Sequence, residues 1–404
     1  MKIAVVVQRF GKEIVGGAES HAHEISCKLA NYYKKPVDIL TTTAKSYQTW
    51  ENEYPEGVEI EDNLIIRRFN SQFQRASWFP FYSRFMWLTH RKFRNYKVLH
   101  PVLKKLEALW FIAQGPYCPK LISYLKKYHN QYDRVIFFTY LYYPTIKGID
   151  FLKKKSVLVP TAHDENPFYF LTIDDVLQKT DSIISNSYPE KEIIVKRSPS
   201  VKQKTNIIGL GFNTFEKKNL KEQKYFKITY LGRISRGKGV DLLIQWLENL
   251  QRKSQIPKKF ILHLAGHKES DIKIPTNSCV KYHGYVTSKE KNDLIASSSL
   301  VVNFSPLESL SMVTLEAMAL GIPVLVNGNC NVFRYYAKKT TTVFSFFDEK
   351  SFQSKLLEIM NTSFAEKFWL DNLENTSSWV KEHYSWNSVL NSYHRILSQK
   401  NLNT

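Results

Sequence analysis

The sequence predicts an α/β protein made of two doubly wound domains, each a parallel sheet covered on both faces by helices. Three observations predict it. Short β-branched runs alternate with amphipathic helical stretches along almost all of the 404 residues. The alternation runs twice, with a glycine-containing charged break between the series. Polar and glycine residues gather just past the C-terminal ends of several strands, where open α/β sheets bind ligands.

In the first series, strands are read at residues 2–7, 37–41, 64–68, 135–139, 157–160 and 182–186, with helices at 18–32, 119–128 and 189–196 between them. The break is GLGFNTFEKKNLKEQKYFK, residues 209–227. The second series places strands at 227–231, 260–265, 280–283, 300–303, 323–326 and 341–344, with helices at 240–250 and 288–296 among them. The tail is again helical at 386–397. The expected domains are residues 1–212 and 213–384, with a terminal helix, 385–404, returning to the first. A chain of this length suits two domains of about 200 residues, its 43% hydrophobic content permits full cores, and no internal repeat is visible.

The N-terminus has only five consecutive apolar residues, Ile3 to Val7, too few for a signal peptide or a membrane span. Cys27, Cys118, Cys279 and Cys330 are scattered, without disulfide or zinc spacing, as suits a reducing cytoplasm. The formal net charge of +20 implies an anionic partner. Residues 71–105 hold eight Lys/Arg and no Asp/Glu, interleaved with aromatic residues such as Trp78, Phe81, Phe85 and Trp87. That is the composition of a segment lying on an anionic membrane surface. The alternative is a packed helical insertion with a solvated basic face. No recognised motif supports nucleic-acid binding.

Four stretches carry candidate chemistry. KITYLGRISRGKGVDLLIQWL (residues 227–247) runs from a strand through a basic glycine loop into a helix, an arrangement that attracts phosphate. Arg233 can fork onto two phosphate oxygens and Lys238 supplies a point charge. The string from Gly232 to Gly239 imitates a nucleotide-triphosphate P-loop, but Gly239 stands where that motif needs Ser or Thr. SPLESLSMVTLEAMALGIPVLV (residues 305–326) follows a buried strand and reads as loop, helix (310–320), glycine stop at Gly321, and strand. It places Glu308 in the loop and Glu316 about two turns along, roughly 12 Å apart at 1.5 Å per residue. Such a separation suits two ends of an elongated ligand; the alternative is a helix-start acid and a solvated face residue. Gly16 and Gly17 follow the first strand and allow close backbone approach. His163, beside Asp164, lies past the strand at 157–160 and is a site candidate by position. His21, His23 and Cys27 lack the spacing of a metal site.

Together, the Gly16–Gly17 loop, His163, the G-R-x-x-x-x-K-G segment and the Glu308-x7-Glu316 unit running into E-A-M-A-L-G-I-P-V resemble the family 4 retaining glycosyltransferases. The resemblance covers nearly the whole chain. It implies the GT-B fold, two Rossmann-like domains facing across a cleft, with a nucleotide-sugar donor on the C-terminal domain and the acceptor on the N-terminal one. It further implies that Glu308 bonds the donor sugar and Glu316 the ribose hydroxyls. Ser309, Leu310, Ser311 and the following residue present backbone amides to the diphosphate, which Arg233 and Lys238 also reach. Gly16 and Gly17 complete donor binding, and His163 positions the reacting centre. No cofactor or metal is expected, and no Asp-x-Asp motif occurs. The implied process is cytoplasmic assembly of cell-surface polysaccharide or lipopolysaccharide, on a glycan or lipid-linked acceptor, without nucleic acid. Many relatives have Phe-Gly where this chain has Leu310 and Ser311, so a side chain stands beside the expected phosphate position. Gln114 to Pro116 (QGP) fits no derivable mechanism; its place before a helix allows acceptor contact. A sugar-nucleotide epimerase of the same fold is the competing enzyme class.

Overall fold

The structure is a computed structural model and describes residues 1–14, 16–152, 154–212, 225–252, 256–275, 279–364 and 366–399. The chain forms two compact units, residues 1–210 with 390–404, and residues 211–389. Of the charged break, residues 213–224 lie outside the described residues.

The first unit opens with β1 (Ile3–Val6), α1 (Gly17–Tyr33), β2 (Val37–Thr42), β3 (Gly57–Glu61) and β4 (Leu64–Phe69). Helices α2 (Phe79–Phe93), α3 (His100–Gln114) and α4 (Pro119–Tyr128) precede β5 (Arg134–Phe138). Then come α5 (Tyr143–Phe151), β6 (Ser156–Val159), α6 (Leu171–Lys179), β7 (Ser182–Ser185), α7 (Tyr188–Arg197) and β8 (Thr205–Ile207). The sheet order is β3-β4-β2-β1-β5-β6-β7-β8, with only β3 antiparallel to its neighbour. Strands β1, β2, β5, β6 and β7 are buried along their whole length, which is why each carries a short apolar core, IAVV in β1 and VIFF in β5, rather than an alternating pattern. β3 is the opposite: an exposed edge strand, GVEIE, with no such run. β1 and β5 sit side by side although β1 also pairs with β2, so strand order reverses between them.

Helices α2 and α3 form the insertion within residues 71–105 and beyond. Phe79, Met86 and His90 of α2 face inward. His90 Nε2 lies 2.9 Å from Oε1 of Glu107, a fully buried residue of α3. Glu107 also accepts from the amides of Leu171 (2.8 Å) and Thr172 (2.7 Å), so one carboxylate ties α2 to α3 and caps the start of α6. QGP is a packed corner: the Gln114 carbonyl accepts from Trp50 Nε1 (2.6 Å) and Arg75 Nε (3.2 Å), and Trp50 is buried against Gly115. Those two donors hold the Gln114 carbonyl within the first unit.

The second unit contains β9 (Phe226–Leu231), α8 (Val240–Arg252), β10 (Phe260–Ala265), β11 (Val280–Tyr282), α9 (Ser288–Ala296) and β12 (Leu300–Asn303). It continues with α10 (Met312–Ala319), β13 (Val324–Asn327), α11 (Asn331–Lys339), β14 (Val343–Phe346), α12 (Glu349–Asn361) and α13 (Lys367–Tyr384). Its sheet, β11-β10-β9-β12-β13-β14, is parallel throughout, and strand order reverses between β9 and β12. Phe304, just past β12, packs its ring against Phe346 (centroids 4.5 Å apart) and Phe352 (5.0 Å) in the core. This anchors the loop that follows. The final helix, α14 (Trp386–Ser398), begins in the second unit's stretch of chain. Its later residues pack on the first unit: Arg134 donates to the carbonyls of Leu397 (3.0 Å) and Gln399, and Tyr33 OH lies 2.9 Å from His394 Nδ1.

Candidate active site

The reversal between β9 and β12 places two loops next to each other at the C-terminal edge of the second sheet, the position where doubly wound sheets bind ligands. Two of the charged sequence candidates, of opposite sign, meet there. Lys238 Nζ lies 2.6 Å from Glu308 Oε1 and 3.4 Å from Ser305 Oγ. The side chains are 31% and 17% exposed, so the pair is shielded yet open on one side.

Local chemistry explains the positions. After β9 the chain makes a single 3₁₀ turn, Arg236–Lys238, and Gly239 takes φ +70 before α8 begins. A Cβ at Gly239 would stand 2.9 Å from Phe304 Cβ and 3.0 Å from its carbonyl oxygen. Left-handed backbone and the absence of room together exclude Ser or Thr, the residues a P-loop needs there. Gly266, after β10, is tighter: a Cβ would lie 1.9 Å from the Gly232 carbonyl oxygen. Arg233, next to Gly232, is about one-third exposed, and its NH1 is 4.0 Å from Glu269. Its carbonyl accepts from Tyr230 OH (2.8 Å). Burial, and then the nearby Glu308 carboxylate, push the Tyr230 phenol well above its ordinary range.

The loop from Phe304 to Ser311 is braced at both ends. Asn303 Oδ1 accepts from the Ser305 amide (3.0 Å), and Asn303 Nδ2 donates to Ser311 Oγ (3.0 Å). Tyr336 OH donates to the Leu310 carbonyl (2.6 Å). Ser311 has φ +61, the conformation glycine adopts freely, and its hydroxyl also meets Thr314 Oγ1 at 2.9 Å. The hydroxyl is thus held within this network. Its side chain does not cap α10. The helix starts at Met312, two residues later than the sequence pattern suggests, because Ser311 is left-handed. Its first amides carry the positive end of the helix dipole.

Glu316, on α10, is buried and pairs through Oε1 with Lys291 Nζ of α9 at 2.6 Å. Lys291 has no signal in the sequence, since the contact joins two helices 25 residues apart. Gly321 stops the helix as expected, at φ +65, with the Ile322 amide returning to the Ala317 carbonyl (2.9 Å).

Gly16, Gly17 and His163 belong to the first unit. Gly16 is the N-cap of α1, and a Cβ there would lie 2.2 Å from Glu19 Oε2; Gly17 has no atom within 4 Å of its Cβ position. Glu19 is buried and accepts from Arg9 Nε (3.0 Å), Arg9 NH2 (2.5 Å) and Gln8 Nε2 (2.9 Å). His163 follows β6. The amide just before it, of Ala162, donates to Glu190 Oε1 (2.6 Å), and Glu190 Oε2 accepts from the Asn186 amide (2.6 Å). Glu190 therefore braces the His163 loop against the end of β7. In sequence it reads as a helix-cap residue, three after Ser187. His21 is buried, which pushes its imidazole down to about 3. Among the described residues no group of three or more His, Cys, Asp or Glu is placed to hold a metal ion.

Burial raises the Glu190 carboxyl from 4.5 to about 8, against two backbone donors that favour the anion. The folded state then keeps a proton that the unfolded state releases, so stability is full below about 4.5 and falls as pH rises towards about 8. Glu190→Gln is expected to flatten that slope. Melting temperatures of both proteins across this window test it; parallel curves would exclude it.

Two α/β sheets of this kind, each reversing strand order, have the GT-B fold, and solved structures agree. HepE of Anabaena, in complex with UDP and glucose, matches with TM-score 0.64 and 16% identity, covering 98% of this chain and 99% of that one. WaaG, a glycosyltransferase involved in lipopolysaccharide biosynthesis, matches with TM-score 0.64 and 14% identity, covering 98% and 100%. Trehalose-6-phosphate synthase OtsA matches with TM-score 0.68 and 10% identity, covering 99% of each. Residues 211–369, which hold the Lys238–Glu308 pair and Glu316, match the family described as glycosyl transferases group 1. An uncharacterized 41.2 kDa protein in the cps region of Klebsiella pneumoniae is 26% identical over 239 residues, 56% of this chain. The match spans 64% of that relative's length.

Proposed function

We propose that the chain is a retaining glycosyltransferase that moves a sugar from a nucleotide-sugar donor to a glycan or lipid-linked acceptor, in cell-surface polysaccharide or lipopolysaccharide assembly on the cytoplasmic side. The observation that carries this reading is the Lys238–Glu308 pair at the strand-order reversal, beside the uncapped start of α10. A cation and a helix N-terminus match an anionic diphosphate; a carboxylate matches sugar hydroxyls, which donate to it. The family match of residues 211–369 supports the reading, as does a fold neighbour bound to UDP and glucose.

In this mechanism Lys238, Arg233 and the amides from Ser309 to Met312, including those of Leu310 and Ser311, hold the diphosphate. As the bond from the anomeric carbon to the diphosphate oxygen breaks, negative charge grows on that oxygen. These fixed donors stabilise it without a metal, and each is worth roughly 10²–10³ in rate. Glu308 orients the sugar and Glu316 accepts from the ribose hydroxyls. The acceptor hydroxyl attacks the face the diphosphate leaves and passes its proton to the donor phosphate. Gly16 and Gly17 let donor and backbone approach closely, and His163 positions the sugar.

Ligand-observed NMR against UDP-, GDP-, TDP- and ADP-sugars tests this. Saturation transfer is expected from one donor. Lys238→Ala and Glu316→Gln should each weaken its binding by about 10–100-fold, the range of a charge-assisted hydrogen bond. Absence of transfer from every donor by folded wild-type protein, with or without added membrane extract, would overturn the reading.

A further inference from the structure

The insertion of α2 and α3 presents a surface that the site above does not use. On α2, Trp78 at the N-cap, Phe81, Phe85 and Leu88 recur at three- and four-residue intervals and all are exposed, Phe81 by 81%. The chain then turns, and Tyr96 and Val98 are exposed as well, Val98 at 83%. These side chains leave the inward stripe of Phe79, Met86 and His90 intact, so the outward apolar face is not spilled core. Contiguous exposed aromatic surface of this kind marks an interaction site.

Charge selects the partner. Of the eight basic residues in 71–105, Lys104 is engaged by Asp175 (2.5 Å), Arg94 lies over the Tyr169 ring and Arg75 donates to the Gln114 carbonyl. Among the described residues Arg84, Arg91, Lys92, Lys97 and Lys105 have no carboxylate within ion-pair distance; Arg91 lies over the Trp87 ring and Lys92 over the Phe93 ring, both on the insertion itself. Arg84 and Arg91 lie on the flank of the stripe, and Lys92 extends it. A helix lying in a membrane interface has this layout: aromatic and aliphatic residues enter the headgroup boundary while flanking cations meet anionic lipid. Nucleic acid would satisfy the cations but not Phe81, Phe85 and Leu88 together. A second copy of a chain with net charge +20 would on balance repel this basic face.

We infer that the outward face of α2 and the turn after it is a docking surface for an anionic lipid bilayer. The inference stands apart from the transferase reading, since it needs neither donor nor acceptor. It is tested with the full-length protein by flotation with vesicles of pure phosphatidylcholine and of phosphatidylcholine with 30% phosphatidylglycerol. Wild type should float with the anionic vesicles and not the neutral ones. Arg84→Gln/Arg91→Gln/Lys92→Gln should lower partitioning by roughly 100-fold, at about a factor of five per surface cation. Phe81→Ser/Phe85→Ser/Leu88→Ser should lower it at least tenfold with every cation kept. All six positions but Arg84 and Arg91 lie on the exposed stripe and those two on its flank, so circular dichroism and melting should match wild type. Four results would overturn the inference: no flotation of wild type, equal flotation with neutral vesicles, variants that float like wild type, or a wild-type dimer that the serine variant dissolves without any vesicle binding. Nucleotide-sugar binding by the same variants should stay unchanged, which separates failure here from failure of the transferase reading.

Discussion

Lys238→Met is expected to lower turnover by about 10²–10³-fold with little change in melting temperature. The side chain reaches the strand-order reversal from a 3₁₀ turn, and its ammonium lies 2.6 Å from Glu308. Methionine keeps the length of the stem and removes the charge. Because the lysine is about one-third exposed, its loss costs the fold little. Its charge would matter most when the diphosphate oxygen becomes anionic, so the loss should appear in kcat more than in KM. Glu308→Gln keeps shape and should show a comparable fall. The double variant is the sharper test. If the two residues served only each other, the double variant would be no worse than either single change. If both hold the donor, it is slower than either. The rate of nucleoside diphosphate release at saturating donor measures this, and a Lys238→Met enzyme with more than half its turnover would remove Lys238 from the chemistry.

Gly266→Ala is expected to destabilise the second unit by about 2–6 kcal/mol, from backbone strain and overpacking combined. Gly266 has φ +135, and an added Cβ would lie 1.9 Å from the Gly232 carbonyl oxygen. The obstacle is backbone, which cannot swing aside as a side chain would. The Gly266 amide also donates to the Gly284 carbonyl (2.7 Å), and the Gly232 amide to the Ala265 carbonyl (3.0 Å). Three strand ends therefore cross with no space between them, and displacing Gly232 carries Arg233 with it. Gly284→Ala is the control: it too has a left-handed φ, +66, but nothing lies within 4 Å of its Cβ position. It should cost about 1–2 kcal/mol. Thermal denaturation compares the two, and equal melting temperatures would show that the loops separate readily.

The α/β class was legible because the central strands are buried on both faces and leave long apolar runs; β10 and β12 occupy the residues the pattern indicates. The exposed strand β3 was illegible for the converse reason. Its valine and isoleucine face solvent and no neighbour demands their alternation. Helices α2 and α3 were legible as a basic aromatic stretch with a helical insertion as one alternative but without helix bounds, because apolar side chains on both faces of α2 blur the 3.6-residue period. In the site, Glu308, Glu316, Lys238 and Arg233 could be found from motif spacing. What spacing could not supply was their partners. The Lys291–Glu316 and Lys238–Glu308 pairs depend on which helix and loop lie side by side in three dimensions. Glu190 was hidden differently, since three residues after Ser187 it looks like a capping residue while its carboxylate serves two other loops.

The route of α14 bears on how the molecule comes off the ribosome. Arg134, at the start of β5, is held by Asp181 (2.5 Å) and by the carbonyls of Leu397 and Gln399. Those last two contacts come from residues translated after the whole second unit. The nascent N-terminal part must therefore wait, with one flank uncovered, until nearly 190 further residues have emerged. At about 5–20 residues per second that interval is on the order of 10–40 s. During it the part begun first is finished last, and its missing flank is open to chaperones or to aggregation.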